Sequence, residues 1–163
     1  MTDILRFFFI VILLTIAFAA YFLVWGAFFS NRVGKTQRAL RQALGRSFWV
    51  GLVNFLFFGV IALLLFSVAE NVGSVFRVIL MTPALIIAAS LSIMLSFGLA
   101  GMVNLLGERI FPDHPAWKKT LWGTVSLAFA CALPFVGWFL LLPYAGLTGF
   151  GAVILSFFQR ETS

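Results

Sequence analysis

One histidine, one cysteine, five acidic and eleven basic side chains supply nearly all the ionisable chemistry of this 163-residue sequence. A haem ligated by two histidines, or a zinc site built from several cysteines and histidines, is therefore excluded by count. His114, within Pro112-Asp113-His114-Pro115, can pair with Asp113 or hold a metal weakly, but a lone loop histidine is ordinarily just solvated. Cys131 lies in an apolar stretch, where a small buried thiol is the default. Gly34-Lys35-Thr36 matches only the tail of a phosphate-binding loop, which needs a glycine five positions earlier, and that position is Phe29. No serine has a recognisable base and orienting acid, so nucleophilic catalysis is not expected. The chain reads as non-enzymatic, with no cofactor and no catalytic or metal-binding residue.

The elements that must position these few groups follow from composition. Hydrophobic residues make up 63% of the chain and charged residues 10%, against about 45–50% and about 25% in soluble domains. Four stretches, Ile4–Phe29, Ser47–Ala69, Val78–Leu106 and Thr120–Phe158, hold a single charged side chain, Arg6. Each exceeds the run of about 18 apolar residues that marks a bilayer span. The predicted fold is an all-α polytopic transmembrane bundle in one domain, and a soluble enzyme, a secreted disulfide scaffold and a disordered tail are ruled out. Ala17-Phe18-Ala19 superficially resembles a secretory cleavage site, but the apolar run continues to Phe29 and reads as a retained helix. A straight helix over Thr120–Phe158 would be about 58 Å long, nearly twice a hydrocarbon core. It must turn at Pro134-Phe135-Val136-Gly137-Trp138 or near Pro143. The predicted spans are about 4–29, 47–69, 78–106, 120–137 and 140–158, the last two a hairpin; the alternative is four spans with one kinked last helix.

The net charge of +6 and pI near 10.5 read as topology rather than as nucleic-acid binding, since no folded basic module accompanies them. The segment 31–46 carries Arg32, Lys35, Arg38, Arg41 and Arg46 with no acid, the pattern of a cytoplasmic loop. With five spans, Arg109, Lys118, Lys119 and the tail Arg160 fall on the same inner side, and Arg6 and Arg77 fall outside with the N-terminus. The predicted location is a bacterial inner membrane. Within 31–46, Val33, Leu40 and Leu44 share one helical face and Lys35, Arg38, Gln42 and Arg46 another. Such a helix can lie at the headgroups and attract anionic lipid, present its cations to an acidic protein partner, or simply fix orientation as a solvated loop. Arg32, Lys35, Arg38, Arg41 and Arg46 are the candidate lipid- and partner-binding residues.

No ionisable side chain is expected near the midplane, which argues against a proton-coupled or charged-substrate carrier. Ala84, Ala88, Ser92, Ser96, Ala100 and Asn104 recur every four residues and predict a helix-packing face. Thr124, Ala128 and Ala132, then Ala145 and Gly149, repeat the device, and the same faces could meet a second copy. Many of the 21 phenylalanines, as at Phe7–Phe9 and Phe55–Phe58, are expected to face lipid or wedge between helices. Gly51-Leu52-Val53-Asn54 echoes Gly101-Met102-Val103-Asn104, and an Asn54–Asn104 amide pair or separate local bonds are both open at this point.

From Arg38 to Arg160 further residues fall into a recognisable order. They are Ala39-Leu40, Gly45-Arg46-Ser47, Gly51-Leu52, Leu106-Gly107-Glu108-Arg109, Gly123, Leu133-Pro134-Phe135-Val136-Gly137-Trp138 and Gly149-Phe150-Gly151-Ala152. This pattern resembles the membrane domain attached to bactofilin-type, polymer-forming bacterial proteins. The resemblance implies a fold rather than an activity. This sequence has no β-helical polymer-forming domain and adds Ile4–Phe29, so any link to a polymer is expected in trans. The leading expectation is a scaffold, anchor or accessory subunit for partner proteins. The alternatives are a pore or carrier for a small neutral or lipid-like solute, and an accessory subunit of an energy-converting complex.

Overall fold

The computed structural model describes residues 2–133 and 135–158, with the side chains of all of these except Thr2, Asp3, Phe7 and Trp138. Pro134, expected at the last turn, and Arg160, expected on the inner side, lie outside the described residues. The chain forms α1 (Thr2–Phe28), α2 (Ser30–Gln42), α3 (Leu44–Glu70), α4 (Ser74–Ile110), α5 (Ala116–Ala132) and α6 (Leu142–Phe158). A π-helical turn, Val136–Leu141, leads into α6. Among the described residues α1, α3, α4 and the segment Phe139–Phe158 are long and apolar enough to cross a membrane. The 17 residues of α5 span about 26 Å at 1.5 Å each, a few ångströms short of a hydrocarbon core. The 37 residues of α4 reach about 56 Å, so one end projects well past any core.

Backbone contacts at glycines give the helix directions. Gly51 lies against Leu147 and Gly151 against Ser47, so α3 and α6 are antiparallel. Gly107 lies against Lys119 and Gly123 against Val103, so α4 and α5 are antiparallel. Gly98 lies against Gly149 and Gly146 against Leu95, so α4 and α6 run parallel. The chain therefore reverses between α5 and α6, as the length of the last apolar stretch requires. At each of these positions except Gly146, a Cβ would overlap a neighbouring backbone. Such close approach lets dispersion and backbone contacts hold helices where lipid provides no hydrophobic drive between them.

The reversal falls between α5 and the π-helical turn, where Phe135 has φ 67°, a backbone region that side-chain-bearing residues occupy at a cost of about 1–3 kcal/mol. The π-helical turn follows, with the Leu142 amide donating to the Gly137 carbonyl five residues back. Pro143 comes next; its ring would crowd a regular α-helical turn ahead of it, and a widened turn is the usual accommodation. Because the Phe135 side chain is 79% exposed, replacing it removes little packing. Phe135→Gly is expected to stabilise the protein by about 1 kcal/mol, the relieved strain less the extra unfolded-state entropy of glycine. A lower midpoint in detergent-unfolding titrations would contradict this.

The four-residue stripe on α4 does not form one packing face. Helical residues advance about 100° each, so every fourth one drifts by about 40° and six of them sweep about 200°. Ala84 and Ala100 are buried, Ala88 and Ser96 half-buried, and Ser92 is exposed. Ser92 returns its hydroxyl to the Ala88 carbonyl of its own helix, whereas Ser96, which donates to the Ser92 carbonyl, also accepts the Tyr21 hydroxyl of α1 at 2.9 Å. Thr124, Ala145 and Gly149 are buried, as the small-residue spacing predicts. The exterior is apolar: Phe8, Phe9, Leu63 and Ile79 are between 59% and 70% exposed. Phe55 instead meets Phe150 at 5.8 Å, a wedge between α3 and α6.

Candidate ligand cleft at the basic end

The end of the bundle where α1 finishes and α3 begins also receives the end of α4, the start of α5 and the end of α6. Helix α2 lies across it, set off from α1 at Phe29 and from α3 at Ala43, both outside helical geometry. Eight of the eleven basic residues cluster here: Arg32, Lys35, Arg38, Arg41, Arg46, Arg109, Lys118 and Lys119. The segment 31–46 is thus largely helical and amphipathic, as its periodicity predicts. Its apolar stripe, however, does not face outward to headgroups. Val33 is fully buried against α1 and α4 and Leu40 against α4 and α6, with Thr36 and Ala39 beside them and Leu44 half-buried against the cluster of Leu40. Gly101 makes room for the Thr36 methyl, since a Cβ there would sit 2.8 Å from it. Burial of this stripe leaves Arg32, Arg38, Arg41 and Arg46 exposed and Lys35 half-buried.

The structure separates these cations. The Arg32 guanidinium stands 5.0 Å over the Phe157 ring. Arg41 pairs with Glu108 of α4, which also accepts a 2.5 Å hydrogen bond from the Gln37 amide. Arg38 and Arg41 line a cavity of about 410 Å³ with Gly34, Gln37, Asn104, Glu108, Ala116 and Lys119. Among the described residues Arg38 and Lys119 have no ion-pair partner. The cavity thus holds three cations against one carboxylate, and that carboxylate is already engaged. Helix α5 begins at Ala116 with no side-chain cap, which adds the positive end of its dipole to the same wall. Arg32, Lys35 and Arg46 do not line this cavity.

A second cavity of about 550 Å³ shares Gly34, Gln37, Asn104 and Ala116 with the first and continues between α1 and α5. Its far walls are Leu23, Gly26, Ala27 and Trp117. The two make one cleft, cationic at one end and mainly apolar at the other. Asn104 stands at the junction, but it does not pair with Asn54. The Thr120 hydroxyl donates to Asn104 at 2.6 Å, and the Asn54 amide donates to the Val50 carbonyl of its own helix. Helices α4 and α5 are direct neighbours at this depth, and α5 brings a hydroxyl to Asn104 where the sequence echo suggested the α3 amide.

Gln37, Glu108 and Lys119 are the residues that sequence reasoning missed. Gln37 precedes Arg41 by one helical turn, and Glu108 is an acid closing an otherwise uncharged stretch, but neither signal names its partner. His114 is exposed beside the Phe111 ring, and among the described residues no group of histidine, cysteine and acidic side chains could hold a metal. Cys131 lines a separate apolar cavity of about 90 Å³ with Phe18 and Phe22 of α1. No family model matches the chain, and no curated protein or solved structure matches it.

Proposed function

We propose that this chain is a non-enzymatic integral protein of a bacterial inner membrane that anchors partner proteins through the cationic face of α2. The observation that carries the reading is the seat of that helix: Val33, Thr36, Ala39 and Leu40 are spent on the bundle, which leaves Arg38 and Arg46 exposed on a docked helix. A free amphipathic helix would spend the same apolar residues on lipid instead. The apolar exterior of α1, α3 and α4 supports residence in a bilayer, because a contiguous surface of that kind is unsuited to water. Clustering of eight basic residues at one end supports a cytoplasmic α2 and an external N-terminus. In this reading α5 is a fifth, short crossing, matched to the bilayer by the interfacial residues Trp117, Lys118 and Lys119 at its start. The resemblance to the membrane domain of bactofilin-type proteins bears on the fold alone, and the partner is left to be identified by its acidic surface.

Replacing Arg38, Arg41 and Arg46 together with glutamine is expected to reduce capture of acidic partners from native membranes about tenfold, or ~1.4 kcal/mol. Unchanged capture, together with unchanged topology and unchanged association with anionic vesicles, would overturn the anchoring role. A label attached after Arg46 is expected to react only from the cytoplasmic side.

A further inference from the structure

The cleft joins a cationic environment to an apolar one. At one end Arg38, Arg41 and Lys119 surround the engaged Glu108 carboxylate. At the other, Leu23, Gly26 and Trp117 form an apolar trough between α1 and α5. Each cavity, at about 410 Å³ and about 550 Å³, falls within the roughly 300–1,000 Å³ of ordinary ligand sites. Arg41 and Gln37 already hold Glu108, so the donors left for a ligand are Arg38 and Lys119. Two cations matched to an empty volume call for an anion, and a trough beginning within the same walls calls for a hydrocarbon chain on that anion. Basic pockets between transmembrane helices on the cytoplasmic side are known settings for acidic headgroups.

We infer that this cleft binds an anionic phospholipid, with its phosphate between Arg38 and Lys119 and one acyl chain in the trough between α1 and α5. The inference rests on the membrane reading above, though not on the capture of protein partners. The shape of the cleft explains two glycines that no helix contact requires. A Cβ at Gly34 or at Gly26 would meet nothing within 4 Å. Gly34 lines both cavities and Gly26 only the apolar one, so each keeps a part of the cleft open. Bulk at either position therefore blocks the ligand without disturbing the bundle.

The test uses the full chain, purified and delipidated in neutral detergent, titrated with phosphatidylglycerol, phosphatidylcholine of the same chains, glycerol 3-phosphate and inorganic phosphate, with bound ligand read by native mass spectrometry. Phosphatidylglycerol is expected to bind about tenfold or more tightly than phosphatidylcholine: both carry the phosphodiester, but the choline ammonium sets a like charge beside Arg38 and Lys119. Arg38→Gln and Lys119→Gln are each expected to weaken it about tenfold, whereas Arg109→Gln, the same charge at the same end but outside the cleft, leaves it unchanged. Gly34→Leu and Gly26→Leu are both expected to abolish lipid binding with the unfolding midpoint retained. Equal binding of the two lipids, or equal losses from Arg38→Gln and Arg109→Gln, would overturn the site. Binding of inorganic phosphate as tight as that of phosphatidylglycerol, insensitive to Gly26→Leu, would assign a free-anion site and overturn the lipid. Detergent binding does not depend on orientation, so failure of the anchoring role would leave this result intact, and the reverse also holds.

Discussion

Gly98→Val is expected to destabilise the bundle by about 3 kcal/mol or more, at or beyond the upper end of the range for overpacking a core. The reason is the crossing of α4 and α6, where a Cβ at Gly98 would occupy the space of the Gly149 backbone, and a Cβ at Gly149 that of Gly98. A flexible side chain could move aside, but two backbones can only separate. Separation would also draw α6 off α3, because Gly151 and Ser47 are in the same kind of contact on its other side. Unfolding in mixed micelles with increasing denaturing detergent measures the loss. Gly59→Ala is the control: it lies within α3, and a Cβ there meets nothing within 4 Å. That change is expected to gain about 0.5–1 kcal/mol from reduced unfolded-state freedom. If the two variants unfolded at the same midpoint, the close crossing of α4 and α6 would be refuted.

The second large effect is local. Leu40 is completely buried beneath α2, in contact with a cluster that includes Met102, Leu105 and Ala152. Leu40→Ala is expected to cost about 2–5 kcal/mol, the range for truncating a buried leucine. The cost falls on the docking of α2 rather than on the long helices. In the membrane arrangement proposed above, the alternative to burial at this end is water, so the hydrophobic effect acts in full, whereas between helices in hydrocarbon it is nearly absent. Trypsin at Arg32, Lys35, Arg38 and Arg41 provides the readout, because cleavage requires α2 to leave its seat. Cleavage of α2 should quicken by roughly 30-fold or more, the factor corresponding to 2 kcal/mol, while Arg77 on the opposite side serves as an internal reference. Cleavage at the original rate would mean that Leu40 does not hold α2 in place.

Both effects depend on features of different legibility. Leu40 was readable, because Val33, Leu40 and Leu44 fall on one helical face and the intervening cations on the other. What periodicity left open was whether that face meets lipid, solvent or protein, since all three settings accept or tolerate the same amphipathic pattern. Gly98 was not singled out at all. The spacing of alanines and serines on α4 drew attention to a stripe that rotates around the helix, while contact was made at Gly98, Gly101 and Gly107, which share no four-residue repeat. Ser47, Gly51 and Gly151 show the same problem: small residues signal that some helix can come close, but not which one. The Asn54 and Asn104 echo fails for the same reason, as similar depth does not establish adjacency.

Local covalent preference and solvent compatibility act through neighbours in the chain, and these were sufficient to specify the helical class, the long apolar elements, the reversal near Phe135 and the basic character of α2. They operate over a few residues, so composition and periodicity carry them in full. Pairing of α3 with α6, engagement of Glu108 by Arg41 and Gln37, and the union of Arg38 with Lys119 in one cleft join residues tens of positions apart. Those choices were made only by the folded chain, because they depend on which backbones can touch, and a steric fit between distant surfaces leaves no periodic trace in either segment.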